Sequence, residues 1–151
     1  MPVLTLDTPV GALSIHETDG AITRVSWRSA SPTGASALLE EAAAQLRAYF
    51  AGDLTTFDLP LRVEGSDLQR AVCREMSAIP FGETLTYGDI AKRLGVPAQA
   101  IGQACGGNPI PVIIPCHRVL GASSLGGFSG EGGVETKVAL LKHEDAAGLL
   151  I

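Results

Sequence analysis

Cys116 is followed directly by His117 and Arg118 and preceded by Asn108-Pro109-Ile110-Pro111-Val112-Ile113-Ile114-Pro115. Three prolines fix the path of a strongly apolar run, and its Val-Ile-Ile stretch is suited to burial. A thiol at the end of such a run is held rigidly in apolar surroundings, beside an imidazole and a guanidinium. Positive charge lowers a thiol's pKa and histidine can take its proton, so this is the make-up of a nucleophilic cysteine. Adjacent residues rarely face one another, so His117 is expected to reach the thiol through a water molecule. Glu144, just after a helix expected from about Val134 to His143, is the candidate to orient the imidazole. Cys73 and Cys105 read as small buried hydrophobes instead.

A second constellation lies upstream. Thr86, with Asp89 three residues on, starts a helix through Ile90, Ala91 and Leu94. Gly95-Val96-Pro97 turns the chain, and a further helix runs from Pro97 to about Cys105, closed by Gly106-Gly107. Pro97 is expected at the first helical position, where its missing N–H costs nothing. Helix, glycine turn and helix have the shape of a helix-turn-helix, although most such pairs are only packing units. Pro97 to Ala104 contains no Lys or Arg, so it lacks the bidentate guanine contacts of a major-groove reader. It is small and smooth, and fits a narrower groove read by shape. Lys92 and Arg93, at the end of the preceding helix, could meet phosphates or simply be solvated.

These two constellations need a frame. The chain has 151 residues, 46% apolar and 18% charged, which is ordinary globular composition and excludes a disordered chain. No apolar run reaches the ~20 residues of a membrane helix, and no signal peptide is visible at Met1-Pro2-Val3-Leu4. The formal charge is −5, with four basic and eight acidic residues in 1–65 against seven and eight in 66–151. That balance argues against a protein whose affinity comes mainly from phosphates. Three cysteines, an odd number without a C-x-x-C pair, and scattered histidines make neither a disulfide framework nor a zinc site expected. The composition suits a reduced, cytoplasmic protein.

Alternation over Val3–Leu6, Ala12–Ile15 and Ala21–Trp27 predicts three strands, with turns at Thr8-Pro9-Val10-Gly11 and Asp19-Gly20. Val25 and Trp27 should share a face. Leu38, Leu39, Ala42, Leu46, Tyr49 and Phe50 give one apolar helix face over 37–51. Leu59 to Gly65 reads as a linker. Ser66 and Gln69 make a capping-box pattern for a helix presenting Leu68, Val72 and Met76, ended by Pro80-Phe81-Gly82. The fold class is therefore α+β. A small antiparallel sheet with one helix (1–64) acts as scaffold, followed by a mostly helical domain (65–151) that holds the helix-turn-helix and Cys116.

Ile114-Pro115-Cys116-His117-Arg118-Val119 resembles the active-site signature of the O6-alkylguanine-DNA alkyltransferases, the methylated-DNA–protein-cysteine methyltransferases. Ile79-Pro80-Phe81-Gly82-Glu83-Thr84, Thr86-Tyr87-Gly88, Gly102 to Ala104 and Asn108-Pro109 follow the family's order and spacing. So do Gly127-Phe128-Ser129-Gly130 and Lys137, Leu140, Leu141 and Glu144. The specific match spans 66–145; the N-terminal part resembles the family only in layout. The resemblance implies DNA repair: an alkylated guanine is flipped out of duplex DNA and its alkyl group passes once to Cys116. It implies roles for His117 and Glu144 in activating the thiol, for Tyr87 as a donor to the base, and for Asn108 in bonding across the turn. Pro111, Phe128 and Ser129 would line the base pocket, and Thr86, Lys92, Arg93, Ala98, Gln99, Ala100 and Arg118 would meet DNA. The implied protein is a monomer, single-turnover, without metal or cofactor, with duplex DNA as partner and no membrane association.

The sequence departs from the family pattern at three places. Gln99 stands where an arginine usually fills the gap left by the flipped base. Cys73 stands where a tryptophan is common, and Phe128 where a tyrosine is. Two other readings compete with alkyl transfer. One is a sensor that binds alkylguanine lesions with little or no transfer; such relatives lack the acceptor cysteine. The other is a cysteine hydrolase, which would turn over.

Overall fold

The computed structural model describes residues 2–27, 33–34, 36–122, 125–126 and 133–146. The chain folds as two compact units, Met1–Glu64 and Gly65–Ile151. Among the described residues no helix is long and apolar enough to cross a membrane.

The first unit opens with an antiparallel sheet of β1 (Val3–Thr8), β2 (Gly11–Thr18) and β3 (Ala21–Ser26), in that order. The first hairpin pairs Thr8 with Gly11 around Pro9-Val10, and the Thr8 hydroxyl caps it by accepting from Val10 N at 3.1 Å. In the second, Asp19 and Gly20 both take positive φ, 49° and 80°, the backbone that a two-residue hairpin loop needs. β3 ends at Ser26, one residue short of the expected strand. Trp27 is half-buried and donates from Nε1 to Val10 O at 2.9 Å, whereas Val25 enters the core. Helix α1 (Ala37–Phe50) is capped by Ser36, whose Oγ accepts from Leu39 N. It closes the core by placing Leu39, Ala42, Ala43, Leu46 and Tyr49 with Leu6, Leu13, Ile15, Ile22 and Val25.

Part of the expected linker is not free. Ile22 N donates to Pro60 O at 2.8 Å and Arg62 N to Ile22 O at 3.0 Å. The segment thus runs parallel to β3 at Leu61 and covers a stretch of sheet edge, whose backbone groups would otherwise be unpaired.

The second unit starts with α2 (Asp67–Ser77), which buries Val72, Cys73 and Met76 and leaves Leu68 half-buried. Its N-cap is half of the expected box: Ser66 Oγ accepts from Gln69 N, but Gln69 Nε2 donates instead to Ala104 O at 2.7 Å. After the short strand β4 (Leu85–Thr86) comes α3 (Tyr87–Leu94), with a complete box. Thr86 Oγ1 accepts from Asp89 N at 3.0 Å, and Asp89 Oδ2 accepts from Thr86 N at 2.9 Å. Gly95, at φ 68°, ends α3. Helix α4 (Ala98–Gly106) follows and packs against α2 and α3. Pro97 is the residue before its first turn, at φ −65° and ψ 148°, one position earlier than expected. A single 3-10 turn (Cys116–Arg118), strand β5 (Val119–Leu120, parallel to β4) and α5 (Val134–His143) complete the unit.

Candidate active site

The path into Cys116 is fixed by short-range bonds. Asn108 N donates to Cys105 O at 3.2 Å, tying the segment to the end of α4. The Asn108 side chain then spans the following loop: Oδ1 accepts from Ile110 N at 3.0 Å and Nδ2 donates to Ile114 O at 2.9 Å. Ile114 N closes the same loop onto Ile110 O at 2.9 Å. Pro115, at φ −82° and ψ 70°, forms an inverse γ-turn in which Cys116 N donates to Ile114 O at 2.8 Å. Ile110, Pro111, Val112, Ile113 and Ile114 are all buried, as the apolar run implied, and Cys116 itself is 5% exposed.

The surroundings of the thiol differ from the expectation in one respect. Arg118 is buried, and its guanidinium is turned inward. Nε and Nη2 grip the Glu144 carboxylate at 2.8 and 2.9 Å, and Nη1 donates to Ile79 O at 2.7 Å. A buried guanidinium is tolerated only when paired in this way, so Arg118 is withdrawn both from the thiol and from the DNA contact expected of it. The cation whose charge favours the thiolate is Lys137. Its side chain is fully buried, with Nζ donating to Val119 O at 2.6 Å and lying 5.8 Å from the centre of the Tyr87 ring. Its immediate neighbours in the chain do not mark Lys137 as a site residue. It occupies the apolar face of α5 with Leu140 and Leu141, and a lysine at such a position was the available signal.

Burial pushes the Cys116 thiol up to about 11, against the opposing pull of the Asn108 side chain and Lys137. At neutral pH it therefore rests as a thiol and needs a base. His117 is fully buried; Nε2 is 2.7 Å from Glu144 Oε2, and Nδ1 has no hydrogen-bond partner among the described residues. Burial holds this imidazole below its ordinary pKa, with Glu144 opposing, so at neutral pH it is uncharged and able to accept a proton. Cys105 is pushed up further, to about 12, chiefly by burial, and Cys73 is raised as well. Of the three, Cys116 is followed directly in the chain by a histidine.

The remaining candidates are placed as follows. Tyr87 is half-buried at the first turn of α3. Gly126, at φ 73°, approaches it so closely that a Cβ there would lie 2.7 Å from the phenol oxygen. Pro111 lies in the buried loop, bridged to Ile114. Thr86 caps α3. Ala98 and Gln99 are exposed at the start of α4 and Ala100 is half-buried. Lys92 and Arg93 are exposed, with Arg93 Nη1 3.5 Å from Glu75 Oε1. Phe128 and Ser129, with the Gly127–Gly130 motif, lie outside the described residues. Among the described residues no group of three or more His, Cys, Asp or Glu side chains could hold a metal ion.

Fold and site together define a class: an α+β chain in which a buried cysteine, next to a His–Glu–Arg cluster, follows a helix-turn-helix. Residues 67–146 match the family model of the 6-O-methylguanine DNA methyltransferase DNA binding domain, and residues 3–63 that of the family's ribonuclease-like domain. The chain belongs to the methylated-DNA–protein-cysteine methyltransferase family. It is 41% identical to the methylated-DNA–protein-cysteine methyltransferase of Mycolicibacterium paratuberculosis, over 93% of this chain and 90% of that protein. It is 39% identical to the constitutive enzyme of Bacillus subtilis, over 93% of both. Among solved structures, the Mycobacterium tuberculosis O6-methylguanine methyltransferase superposes with a TM-score of 0.84 at 40% identity, covering 95% of this chain and 92% of that one. The same organism's protein in complex with DNA gives 0.83 at 42% identity, covering 93% and 90%.

Proposed function

We propose that this chain repairs alkylated DNA by taking the alkyl group of O6-alkylguanine onto Cys116, once per molecule. The observation that carries the reading is a buried, neutral thiol followed in the chain by a buried, neutral imidazole that is anchored by Glu144 and, through it, by Arg118. In this reading His117 Nδ1 draws the thiol proton through a bridging water. Sγ then attacks the alkyl carbon in line, the carbon–O6 bond breaks, and the electron pair leaves with the guanine. Negative charge develops on that guanine, so a donor aimed at it speeds the step; Tyr87 is assigned that part, with the charge of Lys137 behind its ring. The product is a thioether and the thiol is not regenerated.

Reaching the lesion requires base extrusion, at a cost of a few kcal/mol. The small exposed face of α4 is assigned to the minor groove, with Gln99 filling the vacated stack and Ala98 and Ala100 allowing close approach. Thr86, Lys92 and Arg93 would meet phosphates. Pro111, Phe128 and Ser129 would line the base pocket. Residues 1–64 serve as scaffold and 65–151 carry DNA binding and chemistry. The working form is a monomer in the cytoplasm, with no cofactor and no membrane association.

The test is the intact mass of the protein after incubation with a duplex containing O6-methylguanine. One methyl should be gained, mapped to Cys116, and Cys116→Ser should gain none while keeping its fold and DNA affinity. Methyl on Cys73 or Cys105, or more than one equivalent of repaired base per protein, would overturn the assignment.

A further inference from the structure

Val112 sits at the apex of the loop between Asn108 and Cys116 with φ at 72°. The other non-glycine residues with positive φ among the described residues are Asp19 and Asp145, both exposed and both of a type that tolerates this region. Val112 is neither. It is 1% exposed, and its two γ-methyls make it one of the least suitable side chains for a left-handed backbone. Sites of this kind persist only where the surroundings over-determine them.

Here they do. Pro111 and Pro115 fix their own φ on either side, so the free φ angles between them are those of Val112, Ile113 and Ile114. Asn108 holds both feet of the loop, at Ile110 N and Ile114 O. Ile114 O also receives Cys116 N, so any relaxation at the apex reaches the nucleophile's own backbone through one shared carbonyl. Asn108 cannot by itself keep the apex in the left-handed region. That is the work of the buried valine side chain, whose removal from water offsets the backbone strain.

We infer that Val112 is a positioning residue for alkyl transfer. Its side chain anchors a strained turn that sets where Cys116 Sγ stands. This rests on the transfer reading above. It has an unusual signature, because the two smaller residues act differently. Alanine removes the anchor but keeps its Cβ, and with it the part of the strain common to all L-residues, so the turn relaxes and moves Cys116. Glycine removes the anchor and the strain together, so the native turn remains accessible.

The experiment is single-turnover methyl transfer from duplex O6-methylguanine and from a free O6-alkylguanine base, for wild type, Val112→Ala and Val112→Gly. The amplitude counts competent molecules and the rate constant reads positioning. At saturating substrate, Val112→Ala should be about tenfold slower and Val112→Gly about threefold slower, since small misplacements of reacting atoms are costly. The loss should be equal on duplex and free base, with DNA affinity unchanged. A glycine variant slower than the alanine variant, wild-type rate constants in both, or lost amplitude in both at an unchanged rate constant would overturn the inference. An alanine variant without amplitude beside a glycine variant that reacts supports it. Failure of the wild type to take a methyl would instead overturn the transfer reading itself.

Discussion

Among the described residues of the unit Met1–Glu64, Ser14 and Thr23 are buried, hydroxyls paired with those of Thr5 and Thr18 at 2.9 and 3.1 Å. In the unit Gly65–Ile151 the buried polar side chains include His117, Arg118, Lys137 and Glu144, besides Asn108 and Thr136. Hydroxyl pairs cost little to bury, because each partner replaces the other's water. Ionised groups cost several kcal/mol apiece before pairing, and a well-packed apolar cluster of equal volume is often as stable or more so. Stability therefore does not explain the second unit's composition. The charge of Lys137 bears on the proton of Cys116 and those of Glu144 and Arg118 on His117, whereas the first unit's pattern is that of a core that only has to hold a sheet against a helix.

The contrast is sharpened by removing one acceptor from each unit. Glu144→Gln keeps the shape but leaves Arg118 buried without its counter-charge, and should cost about 3 kcal/mol or more. It should also slow transfer about 100-fold, because His117 loses the group that orients it and supports its protonated form. Ser14→Ala should cost only about 1 kcal/mol and leave transfer unchanged. Denaturant midpoints and single-turnover rates on the two variants check this. Equal destabilisation would mean that the ionic cluster is no more than a structural filler.

These differences were unevenly legible in the amino-acid sequence. The box of Thr86 and Asp89, the hairpin of Asp19-Gly20 and the stiff apolar approach to Cys116 depend on neighbours within a few residues, so spacing reveals them. Gln69 had the right spacing to complete a box at Ser66 and instead serves Ala104 O, 35 residues away. Arg118 stands beside Cys116 in the chain, but its direction is set by Glu144 and Ile79 O, 26 and 39 residues distant. Neighbours in the chain thus point to the wrong cation, and Lys137, on α5, is the one whose charge acts on the thiol. Leu61 shows the same thing in the first unit: nothing in its local pattern signals that it would lie along β3.

A smaller effect comes with pH. His117 is held below its ordinary value of 6.5 mainly by burial. The unfolded chain therefore takes up this proton at a higher pH than the folded one. The stability belonging to neutral His117 is fully present above about pH 6.5 and falls as pH drops through the window below it. Transfer should follow the same group. With His117 as base, the rate should be level from about pH 7 to 9 and fall on the acid side. If Cys116, pushed up to about 11, had to ionise unaided, the rate would climb about tenfold per pH unit over that range. A rate profile in single-turnover mode separates the two. In the first unit Ser14 and Thr23 do not titrate, whereas half-buried His16 is also held below its ordinary value, by burial and then by Arg24, and loses stability in the same direction.

The smallest expected effect lies on the surface of the second unit. Gln99 is exposed at the start of α4, and the exposed Pro97 and Ala98 before it carry no charge. If Gln99 fills the stack after base extrusion, Gln99→Arg should help in two ways: a longer group occupies more of the gap, and a cation adds one phosphate-directed charge. Extrusion costs a few kcal/mol, and better support of the opened stack recovers a fraction of it, so a gain of about two- to fivefold in transfer from duplex is expected. A free alkylated guanine base needs no extrusion, and its rate should not change. The paired measurement matters more than either rate alone. A gain on duplex only ties α4 to extrusion and leaves the buried cluster untouched. Equal gains on both substrates would show that the surface charge reaches Cys116, which the burial of that thiol argues against. An unchanged or slower duplex rate would mean that Gln99 already suits its groove, or that α4 docks in another orientation.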